Sequence, residues 1–296
     1  MLDSSNHTEL ARITVGQNPY SLAATPDGSR VYVTNFGADS MSVIDTATAE
    51  VVGTIDVGGS PGGVVLAPGC RHAYVTNYTG ANMSVVDLRC NAVIATIPTG
   101  KGPAMPAVSP CGRHVYVTAF ESNEVTVIDV RHNTVTAIIP VGEHPNGVAV
   151  SPNGESAYVT NSAEDDSTVS VIDMSTLAVT KTIAVEQGPF GIAMSPAGDH
   201  VYVTHFYRDS VLAIDTNTGE PVGRVSVGNR PESIHMTPDG SRLAVSNRGS
   251  RNLSIIDTAT LTVQATVPVP EPGGVAMTDV ISHRGDVRAR SNISST

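Results

Sequence analysis

The sequence predicts an all-β chain built as a ring of repeated four-stranded units, and three observations carry that prediction. The first is a ladder of near-identical segments. VYVTN at 31–35 returns as AYVTN at 73–77, VYVTA at 115–119, AYVTN at 157–161, VYVTH at 201–205 and LAVSN at 243–247. The second is a fixed period: Pro19, Pro61, Pro103, Pro145, Pro189, Pro231 and Pro272 open successive units, 41 to 44 residues apart. The third is what one period contains. Each regular unit holds four short runs with apolar residues on alternating positions, and four such runs in about 40 residues are the pattern of a β-propeller blade. Seven opening prolines predict a seven-bladed β-propeller with four-stranded antiparallel blades.

The first unit shows why each run is a strand. Its runs are SLAAT, RVYVTN, MSVID and VVGTIDV, within residues 19–60. Val, Ile, Thr and Tyr on alternate positions suit a pleated, half-buried surface. Pro26-Asp27-Gly28 separates the first two runs: the proline presets one φ and the glycine takes a positive one. Asp45 ends the third run and recurs as Asp87, Asp129, Asp173, Asp215 and Asp257. A carboxylate there can accept backbone N–H groups of the following turn. A lone four-stranded meander leaves two apolar faces bare, and stacking units face to face around an axis covers them.

On these residues the chain resembles the YVTN family of β-propeller repeat proteins, related to surface-layer and other extracytoplasmic propellers. The VYVTN ladder, the SPDG-like turns and the VSVID-type third runs carry the likeness across residues 10–278. The resemblance implies a seven-bladed propeller. It implies no single activity and supplies no catalytic motif.

The expected organisation is a polar leader at 1–9 and a single propeller domain at 10–296, with blades opening near 19, 61, 103, 145, 189, 231 and 272. LARITVG at 10–16 matches a fourth strand, as in VVGTIDVG at 51–58, yet precedes the first opening proline. It is therefore predicted to complete the last blade and close the ring. That blade starts well with PGGVAMTD, but the remaining VISHRGDVRARSNISST has lost the second and third patterns. Its third strand is expected to be weak or missing.

Composition narrows the function classes. The net charge is −11 with few basic clusters, which argues against duplex nucleic acid or an anionic membrane as partner. No run of 18 apolar residues exists, so membrane insertion is not expected. MLDSSNHTEL has neither a basic start nor an apolar stretch, so as given the chain reads as cytoplasmic, while the family resemblance leaves export open. Cys70, Cys90 and Cys111 are widely spaced and read as free thiols, with no zinc pattern. No cofactor motif is present, and a monomer is expected.

Candidate chemistry comes from two signals. The loops joining strands two to three and four to one share one face, called the upper face. Seven aromatics map there: Tyr20, Phe36, Tyr78, Phe120, Phe190, Phe206 and Tyr207. Such a rim suits a ligand or a protein surface; alternatively, Phe36, Tyr78, Phe120 and Phe206 wedge neighbouring blades. The second signal is departure from the repeat. The small residue at Ala23, Val65, Ala107, Ala149, Ala193 and Ala276 becomes His235, and the asparagine at 35, 77, 161 and 247 becomes His205. Arg230 and Glu232 flank an opening proline, Arg208 and Arg248 come from neighbouring upper loops, and His144 precedes the opening proline of blade 4.

His205, Glu232, His235 and Arg230 are thus candidate catalytic groups. A histidine near a carboxylate can act as acid or base, and paired arginines can hold a carboxylate or enolate-like oxygen. An interblade network of ion pairs and hydrogen bonds is the competing reading. His72, His114 and His200 share one lower-face register in three blades, so the ring keeps them apart, and no metal site is expected. Glu164-Asp165-Asp166 reads as a solvated acidic loop or a Ca²⁺ loop. The favoured function is a module that binds a small molecule, peptide or protein on the upper face. The alternative is a metal-independent lyase, cyclase or isomerase in the blade 5–6 sector.

Overall fold

The alternating runs form the strands they predict. The computed structural model describes residues 1–3, 6–163, 167–270, 273 and 274. Blade 1 is built from Pro19–Ala24, Arg30–Asn35, Ser40–Asp45 and Glu50–Asp56, in that order across an antiparallel sheet. Blades 2 to 6 repeat the pattern over 61–98, 103–140, 145–184, 189–226 and 231–268. Among the described residues there is no helix, and so none long and apolar enough to cross a membrane. The first strands stand side by side around the axis, and the fourth strands form the exposed outer edges.

The hydrophobic core lies between blades. Tyr32, Met41, Val43 and Ile55 of blade 1 pack against Val64, Ala73, Val75 and Val86 of blade 2. Equivalent clusters join each later pair through to blades 5 and 6. The third strand is therefore buried on both faces.

The YVTN segment explains itself here. Its threonine stitches each blade to the next: Thr34 Oγ1 donates to Gly62 O at 2.7 Å, Thr76 to Ala104 O at 2.6 Å and Thr118 to Asn146 O at 2.6 Å. Thr160 and Thr204 repeat the bond to Phe190 O and Glu232 O. Its asparagine holds the upper end of the sheet, with Asn35 Nδ2 donating to Ser40 and Ser42. Asp45 Oδ1 accepts the N–H groups of Ala47 and Thr48, as its place after a strand requires.

The expected count of seven blades is corrected to six four-stranded blades among the described residues. Residues 10–16 form no strand. A fourth strand needs a paired third strand beside it, and among the described residues none stands beside residues 10–16. Residue 16 still takes the repeat's place. A Cβ on Gly16 would run into Asn35, as one on Gly58 would run into Asn77. Gly273 and Gly274 lie against the first strand of blade 1, and Gly274 N donates to Tyr20 O at 2.8 Å. Pro272 and 275–296, expected to form the last blade, and the acidic loop Glu164-Asp165-Asp166 lie outside the described residues.

Candidate functional site in the axial channel

A propeller's first strands crowd the axis, so their side chains decide whether the channel is filled or open. Here glycines let the first strands of neighbouring blades approach closely: a Cβ on Gly147 would press on Phe190 O, and one on Gly191 would run into Glu232 O. Between the strands lies a cavity of about 210 Å³. Its lining comes from blades 1, 3, 4, 5 and 6 and from Gly273 and Gly274. Tyr20, Ser21, Asn146, Glu232, Ser233 and His235 give it polar walls, and Met105, Pro106, Phe190 and Ile192 give it apolar ones.

Three titratable groups converge on this cavity. Glu232 is 13% exposed and is paired with Arg248, whose Nη1 donates to its Oε1 at 3.1 Å. His235 is held by burial below the ordinary histidine range, partly offset by a hydrogen bond to the Met236 backbone, so it is neutral at pH 7. Tyr20 is pushed up to about 12 by burial and then by the charge of Glu232, which keeps its hydroxyl a donor. One wall thus offers a carboxylate acceptor, a neutral imidazole and a phenol donor.

The other candidates fall elsewhere. His205 is fully buried at the end of the second strand of blade 5, and neither ring nitrogen has a hydrogen-bond partner in the structure. It does not line the cavity and is removed from the catalytic set: its register is buried within the blade, where four of the other five blades keep an asparagine and blade 3 has Ala119. Arg230 stands outside the cavity, its guanidinium 5.7 Å from the Phe206 ring centroid. The aromatic rim breaks into three groups. Tyr20, Phe36 and Tyr78 form one run, with centroids 5.8 and 6.4 Å apart. Phe120 stacks on His144 at 4.6 Å. Phe190, Phe206 and Tyr207 form the third, with Arg208 beside them in sequence. Phe120 with His144, and Phe206 with Arg230, join one blade's aromatic to the residue before the next blade's proline. That is the wedge arrangement.

Ser21, Met105, Asn146 and Ser233 also line the cavity, and the repeat pattern does not single them out. For Asn146 a signal exists nonetheless. The residue after each opening proline is Tyr20, Gly62, Ala104, Asn146, Phe190 or Glu232, the least repetitive register in a repetitive strand. Among the described residues no group of three His, Cys, Asp or Glu side chains is placed to hold a metal ion. Cys70, Cys90 and Cys111 are free thiols.

Residues 2–277 match the model of a family described as lactonase, 7-bladed β-propeller. The chain belongs to this lactonase family. The resemblance to YVTN surface-layer propellers rests on the repeats alone. Among curated proteins no significant match is found. Among solved structures, this family member is similar to Kuenenia stuttgartiensis hydrazine synthase, at 21% identity and a TM-score of 0.84, over 95% of this chain and 94% of that one. It is also similar to a functionally unknown protein from Desulfotomaculum acetoxidans DSM 771, at 20% identity and a TM-score of 0.78, over 88% and 89% of the two chains. The β-propeller domain of Cps50 (Swd1) from Myceliophteria thermophila gives 11% identity and a TM-score of 0.75, over 89% and 91%. At these identities the likeness is one of fold. The lactonase family's description counts seven blades, whereas this member shows six four-stranded blades among its described residues.

Proposed function

We propose that the chain binds a small polar organic molecule in the axial cavity, and that the compound class is a lactone or the hydroxy acid it opens to. The observation that carries this reading is the convergence of Tyr20, Glu232 and His235 on one cavity. Residues unlike their counterparts in the other blades supply all three groups, so the repeat itself does not require them there. The cavity is small, which favours a compact ligand over a peptide. The lactonase family supplies the compound class. Tyr20 donates to a carbonyl or carboxylate oxygen, and Glu232 accepts from a hydroxyl.

The state of His235 favours a second reading, in which the bound lactone is opened. A neutral imidazole can take a proton from water. The water oxygen then bonds to the carbonyl carbon, the ring C–O bond breaks, and the departing alkoxide receives the proton from His235. Tyr20 faces the carbonyl oxygen as its charge grows.

The test is a thermal-shift screen of lactones and hydroxy acids on wild type, His235→Ala and Glu232→Gln. Compounds that stabilise wild type and lose that effect in both variants support the reading. Equal stabilisation of all three proteins, or of none, sinks it. Any compound that binds is then followed by NMR for ring opening. A bound lactone that stays closed overturns the catalytic reading alone.

A further inference from the structure

The upper face of blades 5 and 6 differs from the rest of the ring in charge. Arg208, Arg230, Arg248 and Arg251 all stand in its loops. Among the described residues, the upper loops of blades 1 to 4 hold Lys101 as their one such cation, against Asp39, Glu121, Glu143 and Glu186, whereas those of blades 5 and 6 hold one carboxylate, Asp209. The chain as a whole carries −11. Arg248 is spent on Glu232. Arg208 and Arg230 are exposed, and among the described residues no carboxylate forms an ion pair with either.

Beside them stands Tyr207, 61% exposed, where the other blades have Gly37, Thr79, Glu121, Ala163 and Gly249. An exposed tyrosine is ordinarily free to swing, but this one is held. Its ring meets Phe206 edge-on at 5.0 Å, and it lies so close over Gly188 that a Cβ there would collide with it. Arg230 is fixed as well. Its backbone adopts a left-handed φ of 52°, as Asn18, Ser60, Gly102, His144 and Gly188 do at the same register, and its guanidinium rests on Phe206. The loop between them is braced. Arg230 N donates to Asp209 Oδ1 at 2.9 Å, Asn229 Nδ2 to Asp209 Oδ2 at 2.6 Å, and Arg224 Nη2 to Arg208 O at 3.3 Å. The left-handed turn and its cap recur in other blades, as where Ser60 N donates to Asp39 Oδ1; what is particular to this blade is that they present an arginine beside an exposed, held tyrosine.

We propose that Tyr207, Arg208 and Arg230, on their Phe206 base, form a docking surface for an acidic peptide segment of a partner protein. Charge complementarity selects the occupant: two exposed guanidiniums with no ion-pair partner among the described residues, that of Arg230 held on Phe206, recognise carboxylates in an otherwise acidic protein. The tyrosine supplies a rigid apolar anchor at little entropic cost. None of the three lines the axial cavity, although their Phe206 base meets Phe190 of its wall at 6.1 Å.

The test is fluorescence anisotropy with a short fluorescein-labelled peptide that alternates Glu and Gly around one central Leu. The same peptide with Lys for Glu is the control. The acidic peptide alone is expected to bind, and more weakly as salt rises. Tyr207→Ala and Arg208→Ala/Arg230→Ala are each expected to weaken it about tenfold, with circular dichroism unchanged. His72→Ala, on the opposite face, leaves it as in wild type. Arg208→Lys/Arg230→Lys keeps the charge and loses the stacked fork, and is expected to fall between. No binding of the acidic peptide, equal binding of the basic one, or insensitivity to all three upper-face changes overturns the proposal. So does full displacement by inorganic phosphate at constant ionic strength, which would make the surface a small-anion site. A wild-type dimer that Arg208→Ala/Arg230→Ala dissociates would assign the surface to a second copy and overturn the partner.

Discussion

Blade 2 and blade 5 solve the same structural problem in opposite ways at the same point. In blade 2, Asn77 is fully buried and its Nδ2 donates to Asn82 Oδ1 at 2.7 Å and Ser84 Oγ at 2.9 Å. Gly58 closes over it with no room for a side chain. In blade 5 the matching positions hold His205, Ser210, Leu212 and Glu186. Leu212 offers no hydrogen bond, and both nitrogens of His205 go without a partner in the structure. Glu186 turns instead to Arg224 at 3.4 Å and Ser210 at 3.2 Å. The hydrogen-bonding node has been exchanged as a unit. The loss is polar satisfaction in the sheet. The gain is an arginine placed to brace the loop that presents Tyr207 and Arg208.

Acid should separate the two blades most sharply. Burial pushes His205 down to about 4, with Glu186 opposing and Arg224 adding to the shift. An unfolded histidine titrates near 6.5. As pH falls from about 6.5 to about 4 the unfolded chain binds a proton that folded His205 refuses, so stability is lost through that window. The loss is on the order of 3 kcal/mol. His205→Asn/Leu212→Ser/Glu186→Gly, with Ser210 standing where blade 1 has Ser40, rebuilds the asparagine node in blade 5. Urea unfolding should show it more stable than wild type by about 3 kcal/mol more at pH 4 than at pH 7.5. His235, also depressed, is common to both proteins and cancels. An equal gain at both pH values would show that His205 is not the titrating group.

The reverse exchange should cost less but act at every pH. Asn77→His alone places a larger ring beneath Gly58 while Ser84 and Asn82 stay. Two side-chain hydrogen bonds are lost and the node is overpacked, for about 2 kcal/mol. The midpoint of urea unfolding at pH 7.5 should fall accordingly. An unchanged midpoint would mean the node accepts histidine without its companions, and that the concerted exchange in blade 5 carries no meaning.

Much of this architecture is legible in the amino-acid sequence alone. The Pro period and the Val-Tyr-Val alternation locate the strands, because burial on both faces leaves little freedom in residue type. The blade count is not legible, because an opening proline marks where a blade begins and says nothing of whether its other strands exist. Pro272 with PGGV reads like Pro61 with PGGV, and only the missing YVTN pattern after it separates them. His205 and His235 are equivalent as broken repeats. They separate in space because the first strand faces the axis, whereas the end of the second lies inside the sheet. The threonine of YVTN reads as strand filler, since a position that repeats unchanged shows no contrast; its bond to the next blade exists only in three dimensions.

The smallest expected effect sharpens the comparison further. Glu186→Gly restores the glycine of blade 2 and removes the ion pair with Arg224. Both partners are substantially exposed, so at pH 7.5 the cost should stay under about 1 kcal/mol and shrink with salt. The informative readout lies elsewhere. Glu186 is the one carboxylate acting to raise His205, so its removal should move the His205 titration still lower, as seen in the ring-proton shifts by NMR. The loop should respond too, because Arg224 loses its anchor while still donating to Arg208 O. Amide exchange at Arg208 and Asp209 should quicken, with blade 2 unaffected. A His205 titration that rises, or that stays fixed while the loop loosens, would show that Glu186 serves the loop alone and that the buried histidine was never electrostatically tied to it.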